Sequence, residues 1–88
     1  GQLQQSVDFY NPAKNNCYMV ISLYLSDGTM IYKSDYIKPN EHIDSITLNQ
    51  KLQTGIYKNC KMVYNCYTLN TAKTPLNSGE FAIEINSI

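Results

Sequence analysis

The segment 17–25 constrains the fold most, because its apolar residues recur at every second position. In an extended chain, alternate side chains point to opposite sides. One side would carry Cys17, Met19, Ile21, Leu23 and Leu25. The other side would carry Tyr18, Val20, Ser22 and Tyr24. Asp27 and Gly28 follow, and both residue types adopt the positive φ angles of a tight turn. The pattern therefore predicts a β-strand that enters a hairpin.

Strand and turn signals continue along the rest of the chain. The other predicted strands are residues 3–9, 30–34, 36–38, 43–48, 56–67 and 80–86. The alternation changes phase within 56–67, and one residue of bulge near Lys58 and Asn59 would restore it. We expect 49–55 to be a connection with room for one helical turn, and 69–79 to be a polar loop. About seven strands at regular spacing predict an all-β sandwich of antiparallel strands.

Length and charge exclude several classes of protein. A chain of 88 residues is sufficient for one domain with a single core, so residues 1–88 are expected to form one sandwich. A net charge of zero argues against a strongly basic nucleic-acid binder. The hydrophobic content of 43% argues against a disordered polyelectrolyte. No apolar run approaches the ~20 residues that span a bilayer.

Composition and the first residue suggest a source and a location. Many Asn, Tyr, Ile and Lys residues with no Trp indicate an AT-rich bacterial genome. The chain has no Asn-x-Ser/Thr acceptor, which removes the glycosylation signature of eukaryotic secreted modules. Because it begins with Gly1 rather than Met, we expect Gly1 to be a remnant of cloning and an export signal or membrane anchor to precede this segment. These features favour an extracytoplasmic bacterial protein.

Two patterns carry a resemblance to known modules. The run Leu52-Gln53-Thr54-Gly55-Ile56-Tyr57 resembles the tyrosine corner of immunoglobulin-like and fibronectin-like sandwiches, in which the tyrosine hydroxyl bonds to nearby backbone. The wider pattern looks like small sandwich modules of secreted or membrane-anchored proteins in Gram-positive bacteria. It includes Asn11-Pro12, Asp27-Gly28, the Pro39 that follows Ile37, and Tyr64-x-Cys66-Tyr67, and it departs from those modules at Asn40, where they usually have Gly. The resemblance implies an immunoglobulin-like sandwich, a cell-surface location and no catalytic residues. Tyr57, Gly28 and Gly55 would have structural roles.

The three cysteines leave two interpretations open. Cys60 and Cys66 lie on one predicted strand, ~20 Å apart when extended, so they cannot bond to each other. Under the resemblance, Cys17 and Cys66 would face each other across the two sheets, where immunoglobulin-like domains form a disulfide. Three is an odd number, however, and free cysteine is often a small buried hydrophobe. The default expectation is three reduced, buried thiols.

Signs of catalysis and of metal binding are weak. We expect the single histidine, His42, in a solvated loop, and the cysteines on apolar strand faces rather than in the exposed position that a Cys-His nucleophile needs. The carboxylates occur singly along the chain. One histidine and no Cys-x-x-Cys pair do not make a metal-ligand set. We therefore predict no enzyme activity, no metal and no cofactor.

Tyrosine is the richer signal. Tyr18 and Tyr24 share the outward side of the second strand, and Tyr67 joins them if the strands pair in the usual order. Outward rings on a flat sheet stack sugars or bind a partner's strand, although cross-strand aromatic pairs more often only stabilise the sheet. Lys33 lies on the return strand, where its charge would guard an open edge. The candidate interaction face is Tyr18, Tyr24, Lys33 and Tyr67.

From the sequence we expect a non-catalytic extracytoplasmic interaction or spacer module of a bacterial surface protein. The alternative is a glycan-binding module that uses the tyrosine face, against which the absence of Trp argues mildly. The expected partner is a protein or a cell-wall glycan and not a nucleic acid, with membrane contact only through a segment outside this chain. We expect a monomer or a weak dimer.

Overall fold

Six strands in two antiparallel sheets make up the computed structural model, which describes residues 3–87. They are β1 (Gln4–Asn11), β2 (Tyr18–Tyr24), β3 (Met30–Lys33), β4 (Glu41–Thr47), β5 (Gly55–Tyr67) and β6 (Pro75–Ser87). One sheet has the order β1-β4 and the other has the order β3-β2-β5-β6. Ala13–Asn15 forms a 3₁₀ turn. The predicted all-β class is confirmed, in an arrangement compatible with a sandwich.

The strand count and several strand boundaries differ from the sequence prediction. The segment 36–38 contributes only an isolated bridge between Ile37 and Met19, because the chain turns at once at Pro39, which has no N–H for a ladder. Strand β6 begins at Pro75, so the prediction of a loop was wrong over 75–79. Residues 75–78 are exposed and Gly79 is half-buried. An exposed part of an edge strand has no need of alternating apolar residues, so the sequence pattern gave no sign of this strand. No helical turn forms within 49–55.

The β2–β3 connection is a three-residue loop. The Leu25 carbonyl accepts from Gly28 N at 2.9 Å, and Leu25 N donates to the Thr29 carbonyl at 2.8 Å. Gly28 has φ of 91°, while Asp27 does not share the positive φ that the sequence analysis expected. Asp27 instead accepts from Thr29 N at 2.9 Å, and its hydrogen bonds with Thr29 lower the pKa of its carboxyl group. This pattern is typical of a type I turn followed by a left-handed glycine.

The predicted bulge in β5 is confirmed. The register with β6 shifts between Tyr57 and Cys60, and Asn59 within the shift has φ of 60°. Asparagine tolerates this left-handed conformation better than most residues. Tyr57 and Met62 are separated by an odd number of positions, so a regular strand would place their side chains on opposite faces. The register shift between them lets both side chains pack against the core.

The fully buried core lies at the β3-β2 side of the larger sheet. Its members are Met19, Ile21, Leu23, Ile31, Ile37, Ile46, Leu48 and Leu52. The residues of β5 and β6 that pack against this cluster are only partly buried, and they are Tyr57, Met62, Tyr64, Ile83 and Ile85, whereas Cys60 and Cys66 of β5 are buried outside the cluster. The two-stranded sheet therefore covers one side of the four-stranded sheet more completely than the other.

Asn11, at the end of β1, is a fully buried polar residue with its hydrogen bonds satisfied. Its Nδ2 donates to the carbonyls of Cys17 and Ile37, at 2.8 Å each, and its Oδ1 accepts from Asn15 Nδ2 at 3.1 Å. The sequence analysis assigned Asn11 only to a turn before Pro12. In the structure it joins the two sheets at one end, because Cys17 immediately precedes β2.

Candidate functional site

A cleft opens between the two sheets and reaches the buried core, since Met19, Leu23 and Ile31 are among the residues that line it. One part has a volume of about 570 Å³, and its lining includes Phe9, Met19, Met62 and Phe81. A second part of about 330 Å³ is lined by Val7, Leu23, Ile83 and Ile85 among others. Phe9 and Met62 line both parts, so the two parts adjoin along one groove between the sheets. Apolar side chains from β1, β2, β5 and β6 therefore face a shared solvent-accessible space.

Strand β6 forms one wall of the cleft and is an edge strand over 13 residues. No other strand among residues 3–87 pairs with its outer side. Phe81 is 52% exposed and Leu76 is 56% exposed. Natural proteins usually protect such an edge with short strands, charges or a covering element. Here an unpaired backbone edge lies beside an apolar groove.

A close cross-strand contact shapes this wall. Gly79 pairs with Tyr64, and a Cβ atom at Gly79 would lie 2.6 Å from the Tyr64 ring. The ring also stacks on Phe81, with centroids 5.7 Å apart. A glycine here lets the tyrosine lie flat across the strand. The sequence analysis missed this pair because it placed Gly79 in a loop, and only the β5–β6 register identifies it.

The predicted tyrosine face lies on the opposite, outer face of the four-stranded sheet. Tyr18 pairs directly with Tyr67, while Tyr24 and Lys33 lie further along the same face. Tyr36, which the sequence analysis did not include, joins the first two rings, with centroids 5.6 Å from Tyr18 and 5.4 Å from Tyr67. Tyr36 lies outside the strands, so the alternation along the strands could not show that it joins this cluster.

The same cluster includes a cation and is partly closed. Lys73 Nζ lies 5.4 Å from the centroids of both Tyr18 and Tyr36. Val20 and Ser22, which the sequence analysis expected to point outward, are buried on this face among their cross-strand neighbours. The outer face is therefore packed to a large extent by its own side chains.

The edge at β3 is less open than the edge at β6. Strand β3 is an edge strand, as the sequence analysis expected around Lys33. Asn49 N donates to the Ile31 carbonyl at 2.7 Å, and Asn49 Nδ2 lies 3.4 Å from the Met30 carbonyl. Because these carbonyls already have partners, this edge offers fewer free backbone groups to another strand.

Tyr57 makes the contact that the tyrosine-corner resemblance implies. Its hydroxyl donates to the Gln53 carbonyl at 2.9 Å, and its ring is half-buried against the core. Gly55, between the two residues, has φ of 150°, which favours glycine. The corner holds the chain where it enters β5.

All three cysteines are free and buried. Cys66 on β5 lies directly opposite Met19 on β2. Cys17 and Cys66 therefore belong to neighbouring strands of the same sheet, and the expectation that they lie in two facing sheets was wrong. Burial raises the pKa of the Cys66 thiol to about 11, with a hydrogen bond and a charge interaction with Cys17 adding to the effect. Burial also raises the pKa of Cys60, whose Sγ lies 3.5 Å from the Tyr57 carbonyl.

His42 lies in strand β4 and not in a loop, which corrects the expected position. Its side chain is 62% exposed, as expected of a solvated residue. Its ring stacks on Tyr10 with centroids 4.1 Å apart, and its Nδ1 lies 3.9 Å from an Asp8 carboxylate oxygen. These neighbours make a surface pair, and a cysteine nucleophile is not part of it.

Comparisons of the chain with protein-family models, with curated proteins and with solved structures find no match. Among residues 3–87, no group of three or more His, Cys, Asp and Glu side chains is arranged to hold a metal ion. No helix in the same range has the length and apolar character needed to cross a membrane.

Proposed function

We propose that this chain is a non-catalytic, extracytoplasmic interaction module of a bacterial surface protein that binds an extended segment of a partner protein. The observation that carries the proposal is the position of the β6 edge beside the apolar cleft. Added strands bind through main-chain hydrogen bonds, and pockets for alternate side chains supply specificity. Both components lie on the same side of this molecule.

Charge at the cleft indicates the chemistry of the partner segment. Asp8 and Glu84 contribute to the lining, and no Lys is part of it. Asp8 has a side chain that is 92% exposed, so its charge faces solvent at the rim. A complementary segment would place apolar residues at alternate positions and Lys or Arg beside them. Such a segment would cover the exposed ring of Phe81.

The immunoglobulin-like affiliation belongs to the same proposal. The bond from Tyr57 to Gln53 and the two antiparallel sheets support it. Composition supports the bacterial, cell-surface location. Exposed apolar surface of this kind is typical of interaction sites. A spacer role would leave that surface unexplained, so the cleft favours an interaction role.

The alternative is glycan binding at the cluster of Tyr18, Tyr36 and Tyr67. The 44% exposure of Tyr36 supports it, because a sugar stacks on an accessible ring face. The mutual packing of the rings and the position of Lys73 leave fewer free ring faces for that purpose. We therefore rank the cleft above the tyrosine cluster.

A displayed library of random 12-residue peptides tests the proposal. We expect the selected peptides to alternate apolar residues and to carry Lys or Arg. In NMR titrations they should shift the amides of β6 and of the cleft lining. Phe81→Lys, a change at an exposed position, should weaken binding at least tenfold, whereas the matched outer-face change Tyr36→Ser should not alter it.

Other results would contradict this assignment. Peptides that shift only the tyrosine cluster, with no effect of Phe81→Lys, would overturn the cleft as the site. Saturable binding of soluble cell-wall glycan fragments that Tyr36→Ser abolishes would support the alternative. A library that yields no specific binder would favour a spacer role.

A further inference from the structure

We propose that Cys17 and Cys66 form a disulfide bond when the folded protein meets a low-molecular-weight disulfide such as oxidised glutathione, while Cys60 stays a thiol. This site of covalent modification goes beyond the proposed function and does not depend on it. Its test uses the purified chain and needs no binding partner.

The two thiols are neighbours in the four-stranded sheet. Met19 lies opposite Cys66, and Cys17 precedes Met19 by two residues, so Cys17 is the diagonal neighbour of Cys66 on one face. Cys17 is close enough to Cys66 to add to the rise in the pKa of its thiol, and both side chains line the same part of the cleft. The bond needs the two sulfurs to approach to about 2.05 Å.

The backbone at Cys17 is not part of the β2–β5 ladder. Pairing between β2 and β5 begins at Tyr18 and Tyr67, and Cys17 lies at the bend before it. Asn16 just before the bend has φ of 49°, so the regular strand starts only after Cys17. An adjustment at this bend can bring the sulfurs together without breaking a β2–β5 hydrogen bond, provided that the Cys17 carbonyl keeps the hydrogen bond that it accepts from Asn11 Nδ2.

Cys60 provides an internal contrast. It is fully buried, it lies opposite Ile83 in the β5–β6 pair, and its Sγ contacts the carbonyls of Tyr57 and Lys58. On strand β5, six residues separate it from Cys66, or ~20 Å of extended chain. Since Cys17 lies beside Cys66, it is at the same far end of β5 from Cys60, and the fold therefore selects Cys17 and Cys66 from the three possible pairs.

Reagents can reach the pair through the cleft. Cys17 and Cys66 both line its larger part, although their exposures are only 3% and 7%. Because the thiolate is the attacking species and the pKa of Cys66 is about 11, exchange should be slow at neutral pH and faster as pH rises. Cys60 lines neither part of the groove.

The reaction is a pair of thiol–disulfide exchanges. The Cys17 thiolate attacks one sulfur of oxidised glutathione, forms a mixed disulfide and releases one glutathione thiolate, which takes up the proton lost by Cys17. The Cys66 thiolate then attacks the Cys17 sulfur, and the second glutathione leaves with the proton lost by Cys66. The two cysteines lose two electrons and two protons, which reduce one oxidised glutathione to two thiols.

The bond would tie the start of β2 to the end of β5. Closing a long loop restricts the unfolded chain, so we expect the oxidised protein to melt roughly 5 to 15 °C above the reduced protein. Cys60→Ala should retain this increase, whereas Cys17→Ala should lose it.

Tryptic mapping resolves the three cysteines, because cleavage after Lys14, Lys33, Lys58, Lys61 and Lys73 places them in separate peptides 15–33, 59–61 and 62–73. The reduced protein is incubated at pH 8 in a buffer of oxidised and reduced glutathione, alkylated, and digested without reduction. We expect 15–33 linked to 62–73, and 59–61 alkylated at Cys60. The same oxidation in denaturant should instead give mixed pairings.

Each remaining result overturns the proposal. Full alkylation of all three peptides at equilibrium would show that the native geometry resists the bond. A link that includes 59–61, or only intermolecular links, would show that the fold does not select this pair. The same mixture of disulfides in native and in denaturing buffer would also show that the fold does not select this pair. Cys60→Ala can form only the Cys17–Cys66 intramolecular bond, so this variant checks that the mapping detects that bond.

Discussion

The two halves of the four-stranded sheet, the β3-β2 pair and the β5-β6 pair, have similar sequence patterns but differ in how deeply their side chains are buried. On the covered side, formed by β3 and β2, Ile31 has no exposed surface and Ile21 is 3% exposed. On the open side, formed by β5 and β6, Phe81 is 52% exposed and Ile83 is half-buried. Alternation of apolar residues occurs in both. The difference shows that burial depends on what lies across the core, since the opposite sheet has only β1 and β4.

The largest effect should come from the polar contact that closes the covered side. Asn11→Asp removes the two Nδ2 donors and places a carboxylate against the carbonyls of Cys17 and Ile37, inside the protein. We expect a loss of about 3 to 5 kcal/mol in the free energy of unfolding at pH 7. Chemical denaturation measures it. The matched control Asn77→Asp, at an exposed position, should change the value by less than about 0.5 kcal/mol.

A pair of truncations compares the two sides directly. Ile31→Ala deletes a fully buried side chain and should cost about 2 to 5 kcal/mol, whereas Phe81→Ala should cost less than about 1 kcal/mol because half of that ring is already in water. Denaturation of both variants in the same buffer provides the comparison. Equal costs would mean that the cleft is closed in solution and that the contrast between the sides is wrong.

Within the open side, the tightest contact is that of Gly79 with Tyr64. Gly79→Ala places a Cβ where the ring lies, so the ring must move and release its stacking on Phe81. We expect a cost of about 1 to 2 kcal/mol. In a double-mutant cycle the cost should largely disappear when Tyr64 is also Ala. Additive costs in that cycle would show that the ring does not lie over Gly79.

The smallest effect should come from the corner before β5. Tyr57→Phe removes the hydroxyl bond to the Gln53 carbonyl, and because the group is partly solvated we expect a cost of about 0.5 to 1 kcal/mol. Tyr57→Ala should cost more, since it also removes the ring from the core. Tyr36→Phe on the outer face is the control. If thermal melting shows no change for either Tyr57 variant, the corner does not contribute to stability.

Several local features could be predicted from the sequence. The hairpin at Gly28, the bulge near Asn59 and the contact of Tyr57 with nearby backbone all follow from residues that are close in the chain. The strand at Pro75 and the isolated bridge at Ile37 could not be predicted in the same way. In both cases a neighbouring strand supplies the hydrogen bonds that define the element.

The candidate site was predicted less well than the fold. The sequence identified outward tyrosines and a possible pairing of Cys17 with Cys66, but it placed the cysteines across facing sheets. It did not identify the cleft or the role of Asn11. The cleft and the contacts of Asn11 both depend on which strands face each other across the two sheets. The alternation of apolar residues shows only on which face of a strand a side chain lies.

The sequence by itself determined the all-β class, the alternation along β2 and the left-handed glycine of the β2–β3 turn, because these arise from backbone sterics and side-chain spacing within a few residues. Tertiary structure decided the strand order, the division into sheets of two and four strands, and hence the open side beside β6. It also brought Cys17 beside Cys66. These features are set by the register between distant segments, where packing and hydrogen bonding are optimised over the whole chain rather than within one strand.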